Sequence, residues 1–354
     1  MNYATSNMKL KLNMRLLKLT FLAFGFMVFN SAEIFAQNLE TDGELFLFDR
    51  KPFDMWGVRV ASASQKEEYT NSLIENLDDY KSTGINCLSV YIQGSSGGYS
   101  DPFGLQGKII DPGHLNRLTK IIEECGKRDM VVVAGIFYQR TVKNPQISNL
   151  ENETEIRNAV KTFTKALEYY PNIIINIANE QNSGHYKAFQ AFDFNDPHNI
   201  INLCKVVKET DPDRLVGGGG YHDSLNVVIG KSEYVDVLLF DTFHGDIQNG
   251  HHSGWHYDYF KAQGVPEKPI VNVELFGGWT KKFLPQGVYP SEGKEIHLRE
   301  IRAAKERPGL SVHFHSNPWF QAVDQDMENR YYLGGMGTPD EPGVRWYFKE
   351  INTP

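Results

Sequence analysis

Short apolar runs alternate along this chain with longer segments in which apolar residues recur at helical spacing. From Phe53 onward there are eight such runs, and each is continuously apolar rather than alternating between apolar and polar positions. Runs of this kind are typical of parallel strands that are covered on both faces. The predicted strands are Met55–Val60, Ile85–Ile92, Met130–Phe137, Asn172–Ala178, Arg214–Gly219, Val235–Phe240, Ile270–Glu274 and Leu310–His315.

The segments between these runs have the features of helices. Leu115–Ile122 and Thr154–Tyr169 place apolar residues three and four positions apart, and Glu295–Lys305 is amphipathic. Asp196-Pro197, a capping residue followed by a first-turn proline, precedes a helical segment at Asn199–Lys208. Alternating strands and helices predict a parallel sheet with crossover helices. Eight units favour an α/β fold of the closed (β/α)8 type, a TIM barrel, over an open sheet.

Two further segments, one before the first predicted strand and one at the end of the fifth, have recognisable local patterns. The turn-rich stretch Phe46–Phe53 predicts a short N-terminal hairpin that closes the bottom of the barrel. Gly217–Gly220 is a run of four glycines, but no Lys-Ser/Thr pair of a phosphate loop follows it. We interpret these glycines as points of close backbone approach within the barrel.

The first 36 residues have the pattern of a secretory signal. Four basic residues precede the apolar core Leu19–Phe29, and 11 apolar residues are too few to span a bilayer. Cleavage after Ala36 would leave a single barrel domain of residues 37–354. We therefore expect a secreted or periplasmic protein, with an uncleaved membrane anchor as the alternative.

Charge and cysteine content narrow the class of protein. The formal net charge is −8, and it becomes −11 without residues 1–36, which carry four basic residues and one acid. Such a charge argues against a nucleic acid or an anionic membrane as partner. Cys87, Cys125 and Cys204 form neither a disulfide framework nor a metal-ligand spacing. Buried thiols are the simpler interpretation, and a Cys87–Cys125 bridge is the alternative.

Two glutamates stand at the ends of predicted strands. Glu180 comes just after the fourth strand, and Glu274 ends the seventh. A buried charge is costly unless it is used or paired, and the tips of barrel strands are where barrel enzymes place catalysis. Two carboxyls at one barrel mouth suit retaining glycoside hydrolysis, with one protonated and the other ionised. We expect the charge of Glu274 to raise the pKa of Glu180, and Arg59 or His244 to keep Glu274 ionised.

With these motifs the chain resembles clan A glycoside hydrolases, the barrel superfamily that includes the cellulase-like family 5. The residues that carry the resemblance are Ile177–Glu180, Val273-Glu274, Trp56–Arg59 and His244 after the sixth strand. The resemblance implies that Glu180 is the acid/base and Glu274 the nucleophile. It further implies that Asn179 donates to the sugar 2-hydroxyl and that His244 supports the nucleophile.

The chain departs from these relatives at three strand ends. Relatives often carry an arginine at the end of strand two, where this chain has Tyr91-Ile-Gln93, and Arg59 is the candidate substitute. Tyr138 stands where a histidine is common after strand three. Strand eight ends in His315, with Trp319 four residues later, where relatives carry a sugar-stacking tryptophan. These differences predict a sugar pocket unlike that of a standard cellulase.

Aromatic and histidine side chains in the strand-to-helix loops are candidates for sugar contact, because apolar sugar faces stack on rings. The candidates are Tyr138, Tyr221, Trp279, Trp319, His222, His244 and His315. A histidine loop contains His251, His252 and His256, but its spacing is not the His-Glu-x-x-His pattern of a zinc site. Four basic loop residues are either solvated or recognise a sulfated or uronic sugar: Arg140, Lys143, Lys281 and Lys282.

The sequence therefore predicts a secreted retaining glycoside hydrolase that acts on an oligo- or polysaccharide without a metal or other cofactor. Two alternatives stay open. One is a sugar-binding barrel without turnover, motivated by the departures at strands three and eight. The other is a metal-dependent barrel hydrolase that uses the histidine loop. The sugar, its linkage and exo versus endo action are not predicted.

Overall fold

A computed structural model describes residues 38–95, 100–138, 149–188, 192–277, 287–316, 320 and 331–353. It begins with a three-stranded antiparallel sheet formed by β1 (Leu39–Asp42), β2 (Leu45–Phe48) and β3 (Lys51–Pro52). This sheet contains the predicted hairpin and extends it by the strand β1. Its apolar residues pack, together with Met55, on side chains from the starts of the barrel strands, and so close the bottom of the barrel. The packed set includes Leu39, Phe46, Phe48, Cys87, Val131, Leu215 and Val237.

Eight parallel strands form a closed barrel, as predicted. In barrel order, strands one to eight are β4 (Trp56–Arg59), β5 (Cys87–Tyr91), β8 (Val131–Phe137), β9 (Ile173–Ala178), β10 (Leu215–Gly218), β11 (Val237–Asp241), β12 (Ile270–Glu274) and β13 (Leu310–Phe314). Each observed boundary lies within two residues of the predicted one. The sixth strand runs one residue further than predicted and so ends at Asp241.

The barrel strands are buried on both faces, which explains their continuously apolar sequences. Every residue of these strands except Trp56 is buried. One set of side chains fills the barrel interior, and the alternate set packs outward with the helices. The interior set includes Val133, Ile174, Leu239 and Val271, and the outer set includes Leu88, Val132, Ile175 and Leu238.

Helices follow the strands and surround the barrel. They are α1 (Glu67–Ser82), α2 (Pro112–Gly126), α3 (Glu153–Ala166), α4 (Pro197–Thr210), α5 (Asp223–Gly230), α6 (His244–Asn249), α7 (Ser253–Ala262), α8 (Ser291–Lys305) and α9 (Arg345–Ile351). A short hairpin of β6 (Phe103–Gly104) and β7 (Ile109–Ile110) lies between β5 and α2. The predicted cap of α4 is confirmed, because Asp196 accepts the backbone N–H of His198 at 2.9 Å. Over the described ranges, none of the helices combines the length and apolarity that crossing a membrane requires.

The three cysteines are all buried, and none takes part in a disulfide. The alternative of a Cys87–Cys125 bridge is therefore wrong, and the interpretation as buried thiols is confirmed. Burial raises the pKa of all three thiols, which keeps them protonated and unreactive.

Candidate active site

A strained turn at the end of β9 presents Asn179 and Glu180. The backbone N–H of Asn179 donates to the carbonyl of Phe137 at 2.9 Å, which extends the barrel ladder by one residue. Glu180 then adopts φ +40°, in the left-handed region that residues other than glycine rarely occupy. Its carbonyl accepts the N–H of Ser183 at 2.7 Å, which closes the turn. Strain of this kind is typical of functional sites that the surrounding structure holds in place.

A β-bulge at the end of β12 presents Glu274. Phe240 of β11 pairs with Asn272, but the next residue, Asp241, pairs with Glu274, so that β12 carries one extra residue there. A bulge re-aims the side chains that follow it, and it also removes ladder hydrogen bonds. The Asn272 side chain compensates, because its Oδ1 accepts the backbone N–H of Glu274 at 3.1 Å.

Asn272 is itself held by a buried polar network. Its Nδ2 donates to Thr242 Oγ1 at 3.1 Å and to Ser253 Oγ at 2.8 Å. Thr242 Oγ1 also accepts the N–H of Phe276 at 2.8 Å, which ties the network to the residues after Glu274. Asn272, Thr242 and Ser253 are all buried. The network therefore fixes the backbone on both sides of Glu274.

Arg59 joins the two strand ends. This fully buried arginine places Nη2 2.9 Å from Glu274 Oε2, and the same nitrogen donates to Asn179 Oδ1 at 2.6 Å and to Tyr138 Oη at 3.1 Å. Burial disfavours the charge of Arg59, but the surrounding groups, led by the carboxylate of Glu274, together outweigh it and hold the pKa of Arg59 well above its usual value. The guanidinium also lies 5.1 Å from the ring centre of Tyr91. Arg59 thus occupies the position predicted for it, as the cation beside Glu274.

Glu180 has the electrostatic environment of a protonated carboxyl. Burial raises its pKa well above the usual value, and the negative charges of Glu274 and Asp241 raise it further. The opposing effect of Arg59 is smaller. Asn179 Nδ2 lies 3.5 Å from Glu180 Oε2, so that contacts run from Glu274 through Arg59 and Asn179 to Glu180. The predicted direction of the shift is confirmed, with burial as its largest cause.

Asp241 is a third carboxyl of the site, and sequence reasoning missed it. It is buried at the tip of the sixth barrel strand, where the backbone of Glu180 favours the charged form of its carboxylate. Burial, followed by the charge of Glu274, raises the pKa of Asp241 well above its usual value. The signal was the same as for the two glutamates, a carboxylate after an apolar run, but the predicted strand ended one residue too early.

One histidine lies in the eighth strand and a second directly follows it: His313 and His315. His315 Nε2 is 3.5 Å from Glu274 Oε1, so this predicted contact residue lies beside the proposed nucleophile. His313 pairs through Nδ1 with Ser89 Oγ at 2.7 Å, and burial lowers its pKa to about 3, which leaves its ring neutral. The ring of His313 fits because Gly57 has no side chain, since a Cβ there would lie 2.0 Å from the imidazole.

Tyr221 and His222 follow the fifth strand. Tyr221 stacks on Phe243 with ring centres 5.3 Å apart, and the charge of Glu180 adds to the effect of burial in raising the pKa of Tyr221. His222 is exposed at the start of α5, with its ring 5.1 Å from that of Tyr221. Phe243, half exposed after the sixth strand, was not predicted as a site residue.

Several predicted residues lie outside the described part of the chain. His244 begins α6, but its side chain is not among those described. The other undescribed candidates are Trp279 and Trp319, together with the basic residues Arg140, Lys143, Lys281 and Lys282. Their roles stay predictions.

In the histidine loop, His256 forms ion pairs with two carboxylates of neighbouring helices. His256 is buried, with Nδ1 2.8 Å from Asp223 and Nε2 3.7 Å from Asp246. Burial lowers the pKa of His256, but these two carboxylates outweigh it and raise the value to about 9. A protonated His256 therefore joins α5, α6 and α7. Across the described ranges there is no cluster of three or more His, Cys, Asp or Glu side chains that could hold a metal ion.

Comparison with known proteins agrees with this geometry. Residues 49–234 match the family model of cellulase (glycosyl hydrolase family 5). A glycoside hydrolase family 5 structure from Bacteroides vulgatus superposes with a TM-score of 0.60 at 16% identity, covering 83% of this chain and 66% of that one. An endo-1,4-beta-mannanase from Rhizomucor miehei superposes with a TM-score of 0.57 at 16% identity, covering 82% of this chain and 96% of that one. The beta-mannanase of the blue mussel Mytilus edulis superposes with a TM-score of 0.55 at 14% identity, covering 90% of this chain and 97% of that one. No curated protein matches the chain.

Proposed function

Since this chain belongs to glycoside hydrolase family 5 and is a glycosidase, we propose that it hydrolyses its substrate with retention of configuration through Glu180 and Glu274. The observation that carries the proposal is the different environment of the two glutamates. Glu274 is ion-paired with Arg59 at 2.9 Å, whereas burial and two neighbouring carboxylates raise the pKa of Glu180. A pair of carboxyls with separated pKa values is what an acid and a nucleophile require.

In the first step Glu180 donates its proton to the leaving oxygen as the glycosidic C–O bond breaks. Glu274 attacks the anomeric carbon from the opposite face and forms a glycosyl ester. In the second step Glu180, now a carboxylate, takes a proton from water, and the water oxygen displaces Glu274 from the anomeric carbon. Glu180 is thereby protonated again, and the sugar leaves with its original configuration.

Arg59 and Asn179 orient the nucleophile and the sugar in this scheme. An arginine only donates, so the Asn179 atom that it contacts at 2.6 Å must be the carbonyl Oδ1. The amide Nδ2 of Asn179 is thereby turned toward Glu180 and can donate to the 2-hydroxyl of a bound sugar. His315 and Tyr138, which lie beside Glu274 and Arg59, belong to the same sugar pocket.

The proposed substrate is an oligo- or polysaccharide outside the cytoplasm, and export follows from the signal pattern of residues 1–36. Two structures of similar fold are named as mannanases, so β-1,4-mannan belongs with cellulose in the first panel of polysaccharides to be screened. Release of reducing ends is the readout. This screen identifies the sugar that is cleaved, whereas retention of configuration needs a separate experiment.

Azide rescue tests the two roles. Glu274→Ala should lose turnover by about 10⁴-fold or more, because no covalent intermediate forms. Added azide should restore it and yield a glycosyl azide of inverted configuration. Glu180→Ala, assayed on a substrate with a good leaving group, should give the azide of retained configuration. Glu75→Ala, an exposed glutamate on α1, is the control and should behave as wild type. Full activity in either active-site variant would refute the assignment.

A further inference from the structure

An aromatic pair stands at the barrel mouth between the two glutamates. Tyr221 follows strand five and Phe243 follows strand six, and their rings stack at 5.3 Å with 28° between the planes. Phe243 remains 49% exposed although Tyr221 covers one face of its ring. Exposed aromatic surface beside a catalytic centre indicates a binding surface, because exposure forgoes the stabilisation that burial would give.

Tyr221 is fixed to the turn that carries Glu180. Its backbone N–H donates to Asn182 Oδ1 at 2.9 Å, and Ser183 and Gly184 of the same turn act on its hydroxyl and lower its pKa against the larger effect of burial. Asn182 Oδ1 approaches so closely that a Cβ at Gly220 would lie 1.8 Å from it. The backbone of Tyr221 is therefore tied to the turn that carries Glu180.

Phe243 is fixed through its backbone. Its N–H donates to Asp246 Oδ2 at 2.5 Å, and its carbonyl accepts the N–H of Asp246 at 2.9 Å. Asp246 in turn faces the buried, protonated His256. An exposed ring on so firmly held a backbone loses little conformational entropy when a ligand stacks on it.

The position of Tyr221 and Phe243 indicates which part of the substrate they contact. The Glu274 carboxylate contacts Arg59 of strand one and His315 after strand eight, and Arg59 in turn contacts Asn179 and Tyr138, which follows strand three. The sugar that Glu274 attacks must lie among these groups. The acid Glu180 protonates the oxygen that leaves, so the leaving group extends away from them, toward strands five and six.

We propose that Tyr221 and Phe243 form a platform for the sugar residue on the leaving-group side of the scissile bond. This inference rests on the proposed function and assigns to it the residues that bind the leaving-group sugar. The enzyme takes chains with at least one further sugar beyond the bond that is cut. The apolar face of that sugar stacks on the open face of Phe243.

Two probes that differ only in the leaving group test the platform. A β-glycosyl fluoride has no leaving-group sugar, whereas a cello- or manno-oligosaccharide of the same sugar has one. Phe243→Ala should lower the ratio of kcat/KM for the oligosaccharide to kcat/KM for the fluoride by about tenfold, the size of one aromatic stacking contact. Phe243→Tyr should restore the ratio. Tyr169→Ala, which removes a ring that is 79% exposed on another surface, should leave it at the wild-type value.

An unchanged ratio in Phe243→Ala would overturn the inference, whether activity on both probes stays the same or falls by the same factor. Oligosaccharide binding to the Glu180→Gln variant, measured by calorimetry with and without Phe243→Ala, gives a readout that needs no turnover. A weaker affinity with Phe243→Ala supports the platform even if the azide experiment refutes the catalytic roles. An equal affinity overturns the platform while leaving those roles intact.

Discussion

Two arcs of the same barrel mouth differ in how they are built. The arc of strands eight, one and three is buried and polar, with Arg59 contacting Glu274, Asn179 and Tyr138 within 3.1 Å. The arc of strands five and six carries the stacked pair Tyr221–Phe243, which is aromatic and partly exposed. Fixed charges in a desolvated pocket act on charge that develops during a reaction, whereas exposed rings recognise shape. In our proposal the first arc therefore governs the chemistry, and the second binds the leaving group.

Removal of Arg59 should have the largest effect, because it leaves the buried Glu274 without its cation. Arg59→Leu should destabilise the fold by about 3–5 kcal/mol, the usual cost of breaking a buried ion pair, and should abolish measurable turnover. Arg59→Lys keeps the charge but replaces the guanidinium whose Nη2 contacts both Glu274 and Asn179, so it should retain the fold better than the leucine variant and still lose turnover. Thermal unfolding and kcat/KM measure the two effects. Wild-type activity in Arg59→Leu would contradict the role of the polar arc.

Removal of Asn272 should have an intermediate effect on the same arc. Asn272→Ala deletes the acceptor of the Glu274 N–H and should cost about 1–3 kcal/mol of stability, since a buried donor loses its partner. It should also lower kcat by about 10–100-fold with little change in KM, because the nucleophile is displaced.

Asn172→Ala is the matched control for Asn272. Asn172 is also buried, and it donates to the carbonyls of Ile122 and Met130 at the opposite end of the barrel. A similar loss of stability with unchanged kcat is expected there. If both variants lowered kcat equally, Asn272 would have a structural role alone.

Replacement of Asp241, the third carboxyl, should change the pH dependence of kcat/KM. The charge of Asp241 helps to raise the pKa of Glu180, so Asp241→Asn should lower that pKa. Glu180 must be protonated to act as the acid, and the alkaline limb of the kcat/KM profile should therefore move to lower pH. The exposed Asp213→Asn should leave the profile in place. A shift of the alkaline limb to higher pH in Asp241→Asn would contradict this account.

The sequence predicted the barrel and the two strand-tip glutamates because both depend on local patterns. Apolar strands that are buried on both faces read as continuous runs, and a carboxylate after such a run is visible in the sequence. Arg59 was correctly placed as the partner of Glu274. These features need no knowledge of how distant segments meet.

The missed features depend on backbone geometry that the sequence does not display. The bulge in β12 and the positive φ of Glu180 are set by contacts between neighbouring strands. Asn272 is buried in an apolar strand, and its hydrogen bond with the Glu274 N–H depends on that bulge. Phe243 was missed because an aromatic residue after a strand is more often packing, and only its exposure distinguishes it.

Covalent trapping tests the central claim most directly. Incubation with 2-deoxy-2-fluoro-β-glycosyl fluorides of glucose and mannose should inactivate the enzyme. The 2-fluorine slows both steps, but the good fluoride leaving group keeps the first step fast enough for the glycosyl ester to accumulate. Mass spectrometry of peptides should then find one sugar attached to Glu274, and none in Glu274→Gln. Attachment to Asp241 or Glu180 instead, or steady turnover of an oligosaccharide with inverted product, would contradict the assignment of Glu274 as nucleophile.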